Sequence, residues 1–233
     1  MAKTSLILIH GTFERMEGLE DDFQIFGDYF DLYFYQIKPN GQGEKSLSYH
    51  LSDTANSLKF FIEEKGLEKP HLLGYSLGGL VALKLSASGY QNIGRIATLN
   101  TKFDWNPFFE KYKRGILEFE FILDELPIIS KNDYARSRSI AELMRKTTFN
   151  GLEEELSFIH RDLAKVYSQV LILITIKNPH VSINESEWAA NQITRGKYKC
   201  IDGGIHNIFE MDSSVLFSEL YDYFRLGVVN IRF

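Results

Sequence analysis

The run Gly74-Tyr75-Ser76-Leu77-Gly78, continued by Gly79, fits the pattern G-x-S-x-G. In "HLLGYSLGGLVAL" the residues before the serine are apolar and strand-like, and those after it are apolar and helix-like. A turn between strand and helix holds such a serine in a strained backbone and requires small neighbours. It also sets the hydroxyl at a helix N-terminus, where developing negative charge is favoured. That is a nucleophile's position, but a glycine-rich turn without chemistry has the same composition, so partners must decide between the two. A serine hydroxyl needs a base. His206, in "DGGIHNIF" after the last strand-like segment and before the last helix, is the leading one. His10 reads as support for its adjacent loop, His50, His71 and His160 as packed or solvated residues, and His180 as a solvated loop residue. An oxyanion hole needs two N–H groups aimed at one point. Leu77 supplies one, and Thr12 in "HGTF" the other, with Phe13 as the alternative.

The elements that must position these residues follow from apolar periodicity. "SLILIHG" is a short apolar run suited to a strand buried on both faces. "GLEDDFQIFGDYF" is helix-compatible, and "DLYFYQI" is aromatic and β-branched before the turn residues "KPNGQG". Leu51, Ala55, Leu58 and Ile62 recur at spacings of three and four, which predicts a helix from Ser48 to Lys65. "HLLGY", "GRIATLN", "QVLILITI" and "KYKCID" are the further strands, and "NIFEMDSSVLFSELYDYF" is the closing helix. Alternation of this kind predicts an α/β fold, a mainly parallel central sheet with helices on both faces. The stretch from about 104 to 168 breaks the alternation. It contains no strand-like segment and reads as three helices, "NPFFEKYKRGILEFEFILDEL", "ARSRSIAELMRKTTF" and "LEEELSFIHRDLAKVY". The expectation is a single domain over 1–233 with a helical cap inserted before the penultimate strand.

Composition narrows the partners. A formal charge of −5 gives no support to nucleic acid or an anionic membrane surface as the main partner. No segment approaches the roughly 20 apolar residues of a membrane span. Cys200 is the single cysteine, so no intramolecular disulfide forms, in keeping with a reducing, cytoplasmic setting. There is no H-E-x-x-H, no cysteine pair, no phosphate-binding loop and no dinucleotide fingerprint, so neither metal nor cofactor is expected. In the inserted region, Trp105, Phe108, Phe109, Phe119, Phe121, Ile122 and Leu123 serve packing on the sheet domain first and an apolar acyl pocket second. Arg136, Arg138, Arg145 and Lys146 could dock an anionic carrier, although the spacings Arg138–Glu142 and Glu142–Lys146 are those of ordinary helical ion pairs.

"LILIHGTF", "HLLGYSLGGLVAL", "VLILITIKNPHV" and "DGGIHNIF" occur in the order and spacing of the α/β-hydrolase family, which the chain resembles along essentially its whole length. The insertion falls where that family carries its cap. The chain starts almost directly at the "HG" strand, which would make it a compact member. The resemblance implies a Ser-His-acid triad and, most often, hydrolysis of an acyl ester. It also implies an aspartate just after the strand "QVLILITI", in a pattern close to G-x-x-D-x-x-V. Here the residues are Thr175-Ile176-Lys177-Asn178-Pro179-His180-Val181, so Asn178 occupies the acid's place.

The acid holds the histidine tautomer and stabilises the imidazolium; losing its charge can cost on the order of 10⁴ in kcat, about 5.5 kcal/mol. Three readings stay open. Asn178 orients His206 and catalysis is weak or specialised. Alternatively the acid follows the preceding strand, as in some family members, making Asp104 the substitute, though Asp104 also reads as a helix cap. In the third, the fold persists without the chemistry and binds a small ligand or protein partner. The leading expectation is a serine hydrolase of a small or medium acyl ester or thioester, with Ser76 as nucleophile, His206 as base, Leu77 and Thr12 as oxyanion donors and Asn178 at the acid position. C–C bond hydrolysis uses the same framework.

Overall fold

The computed structural model describes residues 3–10, 21, 23–37, 50–104, 158–178, 180–202 and 213–226. The strands are β1 (Thr4–Ile9), β2 (Phe30–Tyr35), β3 (His71–Tyr75), β4 (Ile96–Leu99), β5 (Val170–Thr175) and β6 (Gly196–Ile201). The helices are α1 (Gln24–Gly27), α2 (Leu51–Glu64), α3 (Leu77–Ala87), α4 (Ile183–Gln192) and α5 (Ser213–Leu226). The strands form one six-stranded sheet in the order β2-β1-β3-β4-β5-β6, and every neighbouring pair is parallel. All carboxyl ends therefore lie along one edge. The order reverses between β1 and β3, and the crevice at such a switch point is where open parallel sheets place their ligands.

Both faces of the sheet are covered, because alternate residues of its central strands point to opposite sides. Ile7 and Ile9 of β1 and Val170 and Ile172 of β5 join a core with Leu51, Ala55, Leu58 and Ile62 of α2 and with Leu80, Val81 and Leu83 of α3. Leu6 and Leu8 of β1 and Leu171 and Leu173 of β5 point the other way, against Phe26 of α1 and Leu216, Leu220 and Phe224 of α5. The four α2 residues picked out by spacing are all buried.

Two local readings differ from the structure. α4 carries a weak apolar pattern and was not anticipated as a helix; its start is marked instead by Ser182, whose hydroxyl accepts from the Glu185 N–H at 3.2 Å. The end of the expected cap is not a regular helix. Phe158–Asp162 forms a π-type turn and Leu163–Lys165 a 3-10 turn. Phe158, Ile159, Leu163 and Val166 are all buried in the core shared with α3. The remainder of the expected insertion, with its aromatic residues 105–123 and the basic residues 136–146, lies outside the described residues.

The amino edge of the sheet carries a latch that titrates. The buried His71 accepts a hydrogen bond from the Arg95 N–H at its Nδ1, 2.9 Å, and its ring stacks on Phe224 of α5 at 5.2 Å. The Arg95 guanidinium donates to the Phe224 carbonyl at 2.7 Å. Burial, and then the Arg95 charge, lower the His71 pKa from 6.5 to about 4, against a smaller opposing effect of the Phe224 carbonyl. The folded state thus holds His71 neutral while the unfolded chain takes up a proton below about pH 6.5. Its contribution is fully present above that pH and is lost as pH falls towards 4. Denaturant titrations at pH 7.5 and 4.5 should show His71 accounting for about 2.5 kcal/mol of lost stability. In His71→Asn this part of the pH dependence disappears. An identical slope in the variant would remove His71 as its source.

Candidate active site

Ser76 links β3 directly to α3 with φ 51° and ψ −119°. For a residue with a Cβ such a conformation costs on the order of 1–3 kcal/mol and persists only where the surroundings enforce it. Here they do so from both sides. The Ser76 N–H donates to Leu99 O of β4 at 2.9 Å, and its carbonyl accepts from the Gly79 N–H at 3.1 Å and from the Thr101 hydroxyl at 2.9 Å. The flanking glycines are sterically required. A Cβ on Gly74 would sit 2.5 Å from the Gly78 carbonyl, one on Gly78 would sit 2.2 Å from Ile9 O, and one on Gly79 would sit 2.0 Å from Thr101 Oγ1. Ser76 is half-buried. Leu77, the first residue of α3, presents one of the N–H groups that helix geometry leaves without an intrahelical acceptor.

The end of β4 connects the serine turn to the end of β5. Asn100 is buried at φ 51°, a left-handed conformation that asparagine tolerates better than most residues. Its Oδ1 accepts from the Thr175 N–H at 3.0 Å and the Thr175 hydroxyl at 3.2 Å. Its N–H donates to Leu173 O at 3.0 Å. Neither Asn100 nor Thr101 was singled out from the sequence, because their partners lie about 25 and 75 residues away in the chain and their types alone signal only a turn.

Asn178 lies at the same edge, beyond β5 and half-buried. Its N–H donates to Thr175 O at 3.1 Å. Its Oδ1 accepts from the His180 N–H at 2.8 Å and the Val181 N–H at 3.1 Å, so the side chain organises its own loop. β3 and β5 are separated by β4 alone, which puts their ends about 10 Å apart. Asp104 follows the same β4 loop and is exposed.

The other expected site residues divide as follows. His206, Thr12 and Phe13 lie outside the described residues; β6 and α5 flank the segment that carries His206. The His10 Nε2 accepts from the Ile37 N–H at 2.9 Å, tying the ends of β1 and β2 together. His10 is buried, and the loop it was expected to support lies outside the described residues. His160 is exposed, with its ring 6.0 Å from that of Trp188. His50 precedes α2, and its carbonyl accepts from Thr54. Among the described residues no cluster of three histidine, cysteine or acidic side chains could hold a metal ion, and no helix is long and apolar enough to cross a membrane.

Known proteins share the fold. A family profile described as alpha/beta hydrolase fold matches residues 30–142. Ethanol acetyltransferase 1 of Cyberlindnera jadinii is 24% identical over 151 residues, which is 63% of this chain and 44% of that protein. The chain thus matches less than half the length of this relative. A hydrolase from Oleispira antarctica superposes with a TM-score of 0.69 at 13% identity, over 97% of this chain and 92% of that one. A thermophilic esterase from Thermogutta terrifontis superposes with a TM-score of 0.66 at 16% identity, over 95% and 89%. At such identities the likeness carries the fold and leaves the substrate open.

Proposed function

This chain is an α/β-hydrolase-fold protein, and on that footing we propose that it is a serine hydrolase of small or medium acyl esters. The observation that carries the proposal is the strained Ser76 at the β3–α3 turn, held by three glycines that could not bear a side chain. Ser76 Oγ attacks the acyl carbonyl while His206 takes the hydroxyl proton. The N–H groups of Leu77 and Thr12 hold the oxyanion. The intermediate collapses, the alcohol leaves with the proton from His206, and water cleaves the acyl-serine by the reverse sequence. Asn178 orients the imidazole without supplying a charge. Its anchored loop supports this placement over Asp104, which is exposed. The proposed setting is cytoplasmic, in keeping with the single Cys200.

A fluorophosphonate probe tests the proposal. It should label wild-type protein at Ser76, read by peptide mass spectrometry, and leave Ser76→Ala unlabelled. Absence of label at any pH would favour the second reading, a catalytically impaired protein that binds a small ligand or partner. Asn178 in place of the family's aspartate is the observation in that reading's favour. The resemblance to an ethanol acetyltransferase adds an arm to the test: with ethanol present, the acyl-enzyme should be assayed for ethyl ester as well as free acid. Ester as the main product would make alcohol rather than water the acceptor.

A further inference from the structure

Glu185 sits in the first turn of α4, where a capping glutamate ordinarily folds back to the N-cap N–H in solvent. Here its side chain is only 8% exposed and its carboxylate reaches the loop after β4. Oε1 accepts from the Phe103 N–H at 3.1 Å. Oε2 accepts from the Ser182 hydroxyl at 3.3 Å and lies 3.9 Å from Lys102 Nζ. Lys102 Nζ in turn donates to His180 O at 2.6 Å. Burying a carboxylate is unfavourable unless such partners compensate, and each of these partners belongs to one of two loops. Three consecutive residues after β4 therefore form a bracket. Thr101 holds the Ser76 carbonyl, Lys102 holds the Asn178 loop at His180, and Phe103 is held by Glu185.

We infer that Glu185 is a positioning residue: as the buried acceptor of the Phe103 N–H it sets, through Thr101-Lys102-Phe103, the placement of the Asn178 loop relative to the Ser76 turn. The inference rests on the serine-hydrolase reading for its catalytic consequence, but the clamp itself does not. Asn178 orients an imidazole only if its loop stays in register with the serine two strands away, and misplacement by about 1 Å is enough to cost on the order of 10²-fold in rate. Glu185 touches neither the serine nor the loop's amide, so it acts wholly through backbone placement.

Glu185→Ala and Glu185→Gln in the full chain separate the possibilities. Glutamine keeps an acceptor for the Phe103 N–H; alanine does not. In Glu185→Ala, amide exchange at Phe103 and over 176–182 should accelerate by about tenfold or more while β1 and α3 stay protected. The rate of fluorophosphonate labelling at Ser76 should fall by about tenfold or more, and the apparent pKa of its pH profile should move. Glu185→Gln should keep exchange, rate and profile within about threefold of wild type. Unchanged exchange in Glu185→Ala overturns the clamp. Faster local exchange with an unchanged labelling rate and pH profile overturns the positioning role, as do equal losses in both variants. Wild-type protein that takes no label refutes the hydrolase reading and with it the catalytic consequence, while the exchange measurement still decides the clamp.

Discussion

Asn178→Asp should raise kcat for p-nitrophenyl acetate and butyrate by two to four orders of magnitude, the upper end being the ~10⁴ associated with the acid's charge. The loop is already built for a carboxylate. The Asn178 Oδ1 accepts from the His180 and Val181 N–H groups, and a carboxylate accepts both bonds more strongly. Its second oxygen can then accept from an imidazole N–H. The amide's second atom, Nδ2, can only donate. Presented to an imidazole, it competes for the tautomer whose remaining proton faces the serine, so only the fraction held in the other tautomer through Oδ1 acts as a base. The substitution is isosteric, so melting temperature should change by no more than a few degrees. The acidic limb of the rate profile should move, because a neighbouring negative charge favours the imidazolium. Asp104→Asn is the paired control and should leave kcat within about twofold. If Asp104→Asn abolishes turnover and Asn178→Asp does nothing, the acid is Asp104.

Gly78→Ala should destabilise the fold by about 4 kcal/mol or more, at the extreme of single substitutions. The added Cβ would lie 2.2 Å from Ile9 O and 2.8 Å from both Ile9 C and His10 O. All three are backbone atoms at the end of β1, which is paired on both sides, with β2 and β3. The helix cannot retreat either, since Leu80, Val81 and Leu83 are fully buried just beyond. For a domain of this size the melting temperature should fall by about 10 °C or more. Gly27→Ala is the matched control, because a Cβ there meets only Leu32 Cδ1 at 3.7 Å. Thermal melts followed by circular dichroism distinguish the two, and a Gly78→Ala melt within 2 °C of wild type, allowing for about 0.5–1 kcal/mol of ordinary helix preference, would show that the turn is looser than its geometry implies.

Most of the fold was legible because burial on both faces leaves a continuous apolar run, and five of the six strands were read from such a run or from aromatic and β-branched residues; β6, with its lysines and largely unburied residues, carries no such run. α2 was legible for a different reason: it shields one face only, so its apolar residues repeat at helical spacing. α4 escaped because its pattern is weak and its anchor is polar. The capping pair Ser182-x-x-Glu185 was visible in the chain, and it would have marked the helix start. That Glu185 reaches Phe103 was not visible, since no local rule links residues 82 positions apart.

The site divides along the same line. The chain's own order determined which residue could be the nucleophile, because a G-x-S-x-G between a strand-like and a helix-like run leaves the serine nowhere to lie except on the turn between them. It also determined that an amide, Asn178, stands where the resemblance implies a carboxylate. Tertiary structure alone decided that Ser76 is strained, and why it stays so. The glycines are needed against the backbone of β1 and the side chain of Thr101, contacts that exist only once the parallel strands lie side by side. It alone turned Asn178 from a substitution into an anchored loop, and joined that loop to the serine through Thr101, Lys102 and Glu185. Local pattern reports what one element can be. The distance between a nucleophile and its support depends on strand order, which no single element contains.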